Sequence, residues 1–284
     1  MWRPGPSLVR VVSTFTPAHR GGSGPPLVCL HGFTGSWRTW ELVLGALERH
    51  HDVLAPTLPG HAGGPPLEGE VSDDLMADAI ARAMDDAGFQ TAHIVGNSLG
   101  GHVALQLAAR GRARSVVAFA PAGGWAADDD SLAQTLASQA TLHEQAKASA
   151  PHAEAIVASA EGRRRATQLI VSNFEHIPAD LIAHQMLGIA SCTGAPAMIE
   201  YGLREGYGPL DAERIACPVR IVWARPTGCC RGRPPPRACA TSGCRTPTGS
   251  SSTASATAPS STSRSRPESW SSASRHADRR RART

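Results

Sequence analysis

The sequence predicts an α/β fold, a mainly parallel sheet flanked by helices, and three observations carry that expectation. Short apolar runs suited to buried strands recur at residues 27–30, 53–55, 91–95 and 115–120. Between them, apolar residues recur at helical spacing, so strand and helix alternate along the first 124 residues. At one junction, Gly96-Asn97-Ser98-Leu99-Gly100, a strand-like run passes straight into a helical one.

In chain order, residues 8–15 read as an early strand, and Pro25-Pro26 leads into the buried run Leu27-Val28-Cys29-Leu30. The loop His31-Gly32-Phe33-Thr34-Gly35 follows. Trp37, Trp40, Leu44 and Leu47 share one helical face behind Ser36, a suitable N-cap, so a helix packs on the sheet with its tryptophans as core or pocket wall. After the strand Val53-Leu54-Ala55, Leu58-Pro59-Gly60-His61 turns the chain across the sheet's end. Ser72 is placed to cap a helix with Asp73 and Asp74 in its first turn, Val71 to staple against Met76, and Gly88 to end it. Leu99, Val103 and Leu107 make the next helical stripe, closed by Gly111, and Ser115 to Ala120 the next strand. Residues 125–214 change character to helices without strands. Asp128-Asp129-Asp130 precedes one helix, and Pro178, Ala179 and Asp180 open another with Leu181, Ile182, Met186 and Leu187 on its apolar face. Arg163-Arg164-Arg165 reads as a solvated cluster near a helix end. Residues 215–224, with Cys217 to Trp223 at their centre, return to strand character.

The junction at Ser98 carries the chemistry. A side chain on so sharp a strand-to-helix turn points out at the sheet's end, and glycines two residues either side leave room where a Cβ would collide with a neighbouring strand or helix. Gly96 and Gly100 stand at those two places, with Gly101 beside them. This G-x-S-x-G pattern, with His31-Gly32-Phe33 after one strand and Leu58-Pro59-Gly60-His61 after the next, resembles the α/β-hydrolase family over residues 8–223. The resemblance implies Ser98 as nucleophile and backbone N–H groups of Phe33 and Leu99 as an oxyanion hole. It also implies residues 125–214 as a helical lid over the pocket and His61 near the pocket rim. His31 reads as a loop brace and His61 as structural rather than catalytic. Serine at position 98 argues against the dehalogenase and epoxide-hydrolase branches, which use Asp there.

Composition narrows the class. A hydrophobic share of 41% suits a globular chain, and no apolar run approaches the roughly 20 residues that cross a bilayer, so a cytoplasmic protein without a membrane partner is expected. The net charge of +4 joins unlike parts. Residues 1–224 hold 16 Lys+Arg against 22 Asp+Glu, net −6, and residues 225–284 hold 12 against 2, net +10. That tail lacks Val, Ile, Leu, Met, Phe, Tyr, Lys, Asn and Gln, too little apolar surface to offset chain entropy, so it is expected to be disordered. Its Cys229, Cys230, Cys239 and Cys244 match no paired zinc spacing, and no metal or other cofactor is expected. A natural basic tail leaves unexplained why the core stops where its last strand and two catalytic partners are due, so no nucleic-acid partner is expected. A reading-frame shift near residue 224 accounts for it. Joining the third base of each codon to the first two of the next, residues 225–231 admit A-D-R-L-L-P and residues 253–259 admit G-V-G-H-A-P. These resemble the family's acid and histidine loops, with the lost codons straddling Pro226/Thr227 and Ala256/Thr257.

The triad acid and base are therefore absent as written. His102, one turn beyond Ser98, is expected beside the helix barrel rather than at the hydroxyl. His276 lies in the tail, and Asp128 to Asp130 reach the site only through an unusual lid. The expected activity is hydrolysis of a small carboxylic ester or related acyl substrate through Ser98, impaired by the missing partners. The alternatives are a non-catalytic remnant or ligand-binding α/β module, and a carbon–carbon bond hydrolase or menaquinone-pathway-type lyase of the same fold.

Overall fold

The computed structural model describes residues 14–123, 125, 130–168, 170–171, 173–208 and 210–223. Six strands, β1 (Ala18–Gly22), β2 (Pro26–Leu30), β3 (Asp52–Pro56), β4 (Ala92–Asn97), β5 (Ala113–Phe119) and β6 (Val219–Val222), form one sheet in the order β1-β3-β2-β4-β5-β6. Only β1 runs antiparallel to its neighbour. The apolar runs read from the sequence became β2 to β5, and Val28, Cys29 and Leu30 are fully buried, as strands covered on both faces require.

Helices α1 (Glu41–Leu47), α2 (Leu75–Asp86) and α3 (Leu99–Ala109) cover the sheet. Leu44 packs with Leu27, Cys29, Val53 and Ala55 on one face, and the partly buried Trp37, Trp40 and Leu47 lie against that core. On the other face Ile80 and Met84 of α2 meet Val103 and Leu107 of α3 over Val28, Ile94 and Val116. Burying such side chains contributes about 1.5–3 kcal/mol each. Gly88, at φ 78°, ends α2 in the left-handed conformation that glycine adopts without strain.

Three local expectations are corrected. The first strand lies at Ala18–Gly22, later than residues 8–15, of which 8–13 fall outside the described residues and Thr14 and Phe15 are not in a strand. Ser72 does not cap α2. The helix starts at Leu75 behind Asp74, with no side-chain cap, because the Asp73 carbonyl accepts from Gln106 Nε2 at 2.9 Å instead of joining the helix. Ser36 precedes a short 3-10 turn, Trp37–Trp40, and its hydroxyl bonds His184 Nε2 at 3.4 Å rather than the helix N-terminus.

Between β5 and β6 stand α4 (Ser131–Ser149), α5 (Ala153–Ala158), α6 (Ala160–Thr167), α7 (Ala179–Ala190) and α8 (Ala195–Glu205). Val157, Ile182 and Ala183 form a small core of their own. Arg164 and Arg165 pair with Glu161, while Arg163 donates to the Val157 carbonyl at 2.7 Å and is not merely solvated. The Leu58-Pro59-Gly60-His61 turn docks these helices. The Gly60 carbonyl accepts from Gly194 N–H at 2.9 Å and from Cys192 Sγ at 3.4 Å, and a Cβ on Gly60 would come within 3.1 Å of Gly194 Cα. Among the described residues no helix is long and apolar enough to cross a membrane, and no three His, Cys, Asp or Glu side chains group to hold a metal.

Candidate active site

Ser98 sits between β4 and α3 at φ 53°, ψ −117°. A non-glycine residue there carries strain on the order of 1–3 kcal/mol, which the surroundings must hold. They do so from several sides. Ser98 N–H donates to the Phe119 carbonyl at 2.9 Å, and the Ser98 carbonyl accepts from Ala122 at 3.0 Å and His102 at 3.1 Å. The flanking glycines are obligatory, since a Cβ on Gly96 would lie 2.2 Å from the Gly100 carbonyl oxygen and one on Gly100 2.4 Å from that of Leu30. Gly32 brings the neighbouring loop close as well, its Cβ position lying 2.8 Å from Asn97 Oδ1 and 3.3 Å from Ser98 Cβ. Thr34, just after Phe33, and Ala120 also have positive φ, so among the described residues all three non-glycine cases gather at this site.

Ser98 is half-buried and lines a cavity of about 320 Å³ together with Phe33 and Leu99. Leu99 is the first residue of α3, where backbone N–H groups have no helical partner and the helix dipole favours negative charge. The wall is otherwise mostly apolar, from Met76, Val103, Leu136, Met198 and Trp125, with Asp73, His102, Gln106, Gln139, Tyr201 and Tyr207 among its polar members.

The histidines divide by task. His31 is fully buried, with Nδ1 donating to the Gly32 carbonyl at 2.8 Å and Nε2 accepting from Leu58 N–H at 2.9 Å, so it braces its loop. Burial, reinforced by His61 beside it, lowers its pKa to about 3. His61 donates from Nδ1 to the Pro59 carbonyl at 2.9 Å, packs edge-on to His31 at 4.9 Å, and is lowered to about 4 by burial. It does not line the cavity that holds Ser98. His102 departs from expectation. It lies in the cavity wall rather than beside the helix barrel, because positions one and two turns past Ser98 on α3 face the same way as Ser98. Among the described residues no histidine hydrogen-bonds the Ser98 hydroxyl. Asp130 precedes α4, whereas Asp128, Asp129, His276, the four tail cysteines and both proposed straddled codons lie outside the described residues. Sequence reasoning passed over Gln106, Asp73 and Tyr207 as wall residues. Polar side chains four and eight residues past Ser98 on an otherwise apolar helix were the available signal.

Comparison with known proteins fits this geometry. Over 55 residues the chain is 58% identical to epoxide hydrolase EphH of Mycobacterium tuberculosis, covering 19% of this chain and 26% of that protein. Over 114 residues it is 33% identical to a 2-hydroxymuconate semialdehyde hydrolase of Pseudomonas sp., covering 38% and 40%. The chain thus spans less than half the length of either relative. A thermophilic esterase of Thermogutta terrifontis shares the fold at TM-score 0.52 and 19% identity, over 72% of this chain and 73% of that one. A family model described as the alpha/beta hydrolase family matches residues 27–247, starting later than residue 8 and running past Trp223. With well over half its length so matched around the elbow at Ser98, the chain belongs to the alpha/beta hydrolase family.

Proposed function

We propose that the protein is a serine-dependent hydrolase of a small carboxylic ester or related acyl compound, slowed in this chain by the lack of a triad base and acid. The observation that carries the reading is Ser98 itself, a half-buried hydroxyl held at φ 53° where a strand meets a helix, on the wall of a mostly apolar cavity. In this reading Ser98 Oγ attacks the acyl carbon, and the backbone N–H groups of Phe33 and Leu99 hold the developing oxyanion. A histidine takes the serine proton in the complete machinery and an acid orients it. His31 spends both ring nitrogens on the backbone and His61 lies outside the cavity, so neither serves. The frame-shift accounts for the missing pair, and the gene's nucleotides test it: a single insertion or deletion near codon 224 restores Asp and His in those two loops, or the idea fails.

Without its base the enzyme retains only the acceleration from oxyanion stabilisation and binding, roughly 10³ to 10⁴ over water. A fluorophosphonate probe and a short nitrophenyl ester test both halves. Slow labelling abolished by Ser98→Ala, with turnover near that residual level, is the expected result. Labelling indifferent to Ser98→Ala overturns the nucleophile. Brisk turnover that Ser98→Ala abolishes overturns the impairment and shows that a base is supplied.

A further inference from the structure

One carboxylate stands in the cavity with no cation to answer it. Asp73 lines the wall, half-buried and with part of its surface open, and no lining residue is a lysine or an arginine. His102, the remaining basic group of the wall, is held below its ordinary pKa by burial. Carboxylates close by in sequence are paired, Asp74 and Asp78 with Arg110 and Asp85 with Arg112. Among the described residues no ion pair includes Asp73. Its main chain is fixed, since the Asp73 carbonyl accepts from Gln106 Nε2 at 2.9 Å. Its side chain lies towards the Tyr207 end of the cavity, where a Cβ on Gly208 would collide with Asp73 Oδ2. Tyr201, Tyr207 and Trp125 line the same wall, each half-buried, and Tyr207 is tilted against Trp125 at 5.3 Å. The Asp73 charge reaches both tyrosines: burial first and then that charge raise the pKa of Tyr201 and push Tyr207 up to about 12.

We propose that Asp73, with the rings of Tyr201, Tyr207 and Trp125, forms a subsite for a cationic head, and that the acyl compounds this site takes carry an ammonium group at the end of an apolar chain. The inference rests on reading Ser98 as the reacting group. An uncharged substrate that fills a mostly apolar cavity strips water from the carboxylate and returns nothing, whereas an ammonium group supplies its partner. Aromatic faces attract the same cation, most strongly where water is excluded. An anionic substrate meets like charge and no lysine or arginine. Arg204 lies over the Tyr201 ring at 6.0 Å, but it bonds Glu205 at 2.8 Å, is attended by Glu200 and Glu70 as well, and is not part of the wall. Gln106, which holds Asp73, follows Ser98 by eight residues on α3, about 12 Å along the helix. A chain of six methylenes spans roughly 9 Å from a carbonyl carbon to a terminal nitrogen, which leaves a contact distance to the carboxylate. The wall over that distance is apolar, from Leu99 and Val103 on α3 and Met76 on α2.

Non-cleavable methyl ketones of that length test the subsite on the full chain, with Trp125 and Trp223 on the cavity wall as the fluorescence reporters. They are 8-(trimethylammonio)octan-2-one, its neutral isostere 9,9-dimethyldecan-2-one, and the anionic 8-oxononanoate. The cation is expected to bind roughly tenfold tighter than the isostere, and the anion most weakly. Asp73→Asn is expected to remove most of that preference, while the isostere binds the variant about as tightly as the parent, which also shows that it folds. Tyr201→Leu is expected to cut the preference about threefold by removing one aromatic face. Equal affinity for cation and isostere, tighter binding of the anion, or binding of none overturns the subsite. So does a preference left untouched by Asp73→Asn or, should that variant not fold, by Tyr201→Leu. Fluorophosphonate labelling of Ser98 is read separately. Labelling without cation preference removes the subsite and leaves the hydrolase, and cation preference without labelling does the reverse.

Discussion

The two helices that face each other across the cavity are built on opposite principles. In α3 every residue except Gln106 and Ala109 is buried, whereas α4, the longer helix, buries only Leu136, His143 and Ala146. The floor that carries Ser98 is fixed by contacts all round, with two glycines admitting backbone to within touching distance. The roof is held along one narrow stripe against α7 and α8. Geometry needed to sub-ångström tolerance lies on the first. The second buries fewer of its own side chains and so resists displacement less.

The largest effect expected from this contrast is acid unfolding that begins beneath the floor. His31 and His61 titrate near 6.5 when unfolded and are lowered to about 3 and about 4 by burial. Above pH 6.5 both states are neutral and the pair contributes no pH dependence. As pH falls from 6.5 towards 4 the unfolded chain takes up protons that the folded chain refuses, so stability is lost across that window. Urea unfolding measured from pH 7 to pH 4 should show a steep decline. A flat profile would mean that the two rings gain solvent or partners in solution, and the floor would not be the closed element described.

The next effect separates floor from roof with the same substitution. Gly100→Ala drives a methyl to 2.4 Å from the Leu30 carbonyl oxygen and 2.5 Å from that of His31, both backbone atoms that cannot swing away. A loss of about 3 kcal/mol is expected, together with loss of Ser98 labelling. Gly202→Ala in α8 meets only the end of the Leu136 side chain at 3.0 Å. That end can rotate, and alanine is the better helix former by about 1 kcal/mol, so the net change should stay within about 1 kcal/mol. Equal costs in denaturant titrations would erase the distinction between a determined floor and an adaptable roof.

The same contrast explains what could be read in the sequence. Strands β2 to β5 and the elbow announced themselves because a parallel strand buried on both faces has to be apolar throughout, and so tight a strand-to-helix turn has to have glycine at fixed offsets. β1, Ala-His-Arg-Gly-Gly, gave no such signal. It is an edge strand with alternating exposure, held by register with β3 and by the Arg20–Asp52 pair at 2.9 Å. Ser72 looked like a cap until Gln106, thirty-odd residues away in sequence, claimed the Asp73 carbonyl. The missing features were all long-range: which loop Gly60 docks, which way His102 points, and what Gln106 bonds. Local pattern fixes an element's type, while such partners are chosen only when elements meet.

The smallest effect tests the roof at its surface. Glu161 on α6 lies between Arg164 and Arg165, at 2.8 and 2.7 Å, and their hydrogen bonds lower its pKa to about 2, Arg164 contributing first. So large a shift invites the conclusion that these charges secure the roof. Its setting argues otherwise, because all three side chains are solvent-exposed neighbours on one helix, where salt screens the attraction and ordering long side chains offsets it. Arg110 is the proper contrast. It reaches from the end of α3 to Asp74 and Asp78, at 2.6 Å for the latter, and so ties two packed helices together. Arg110→Ala is expected to cost about 1 kcal/mol, less at high salt. Glu161→Gln should leave the urea midpoint unmoved. If it shifted the midpoint more than Arg110→Ala did, these helices would depend on their surface charges rather than on Val157, Ile182 and Ala183, and the roof would be held from outside.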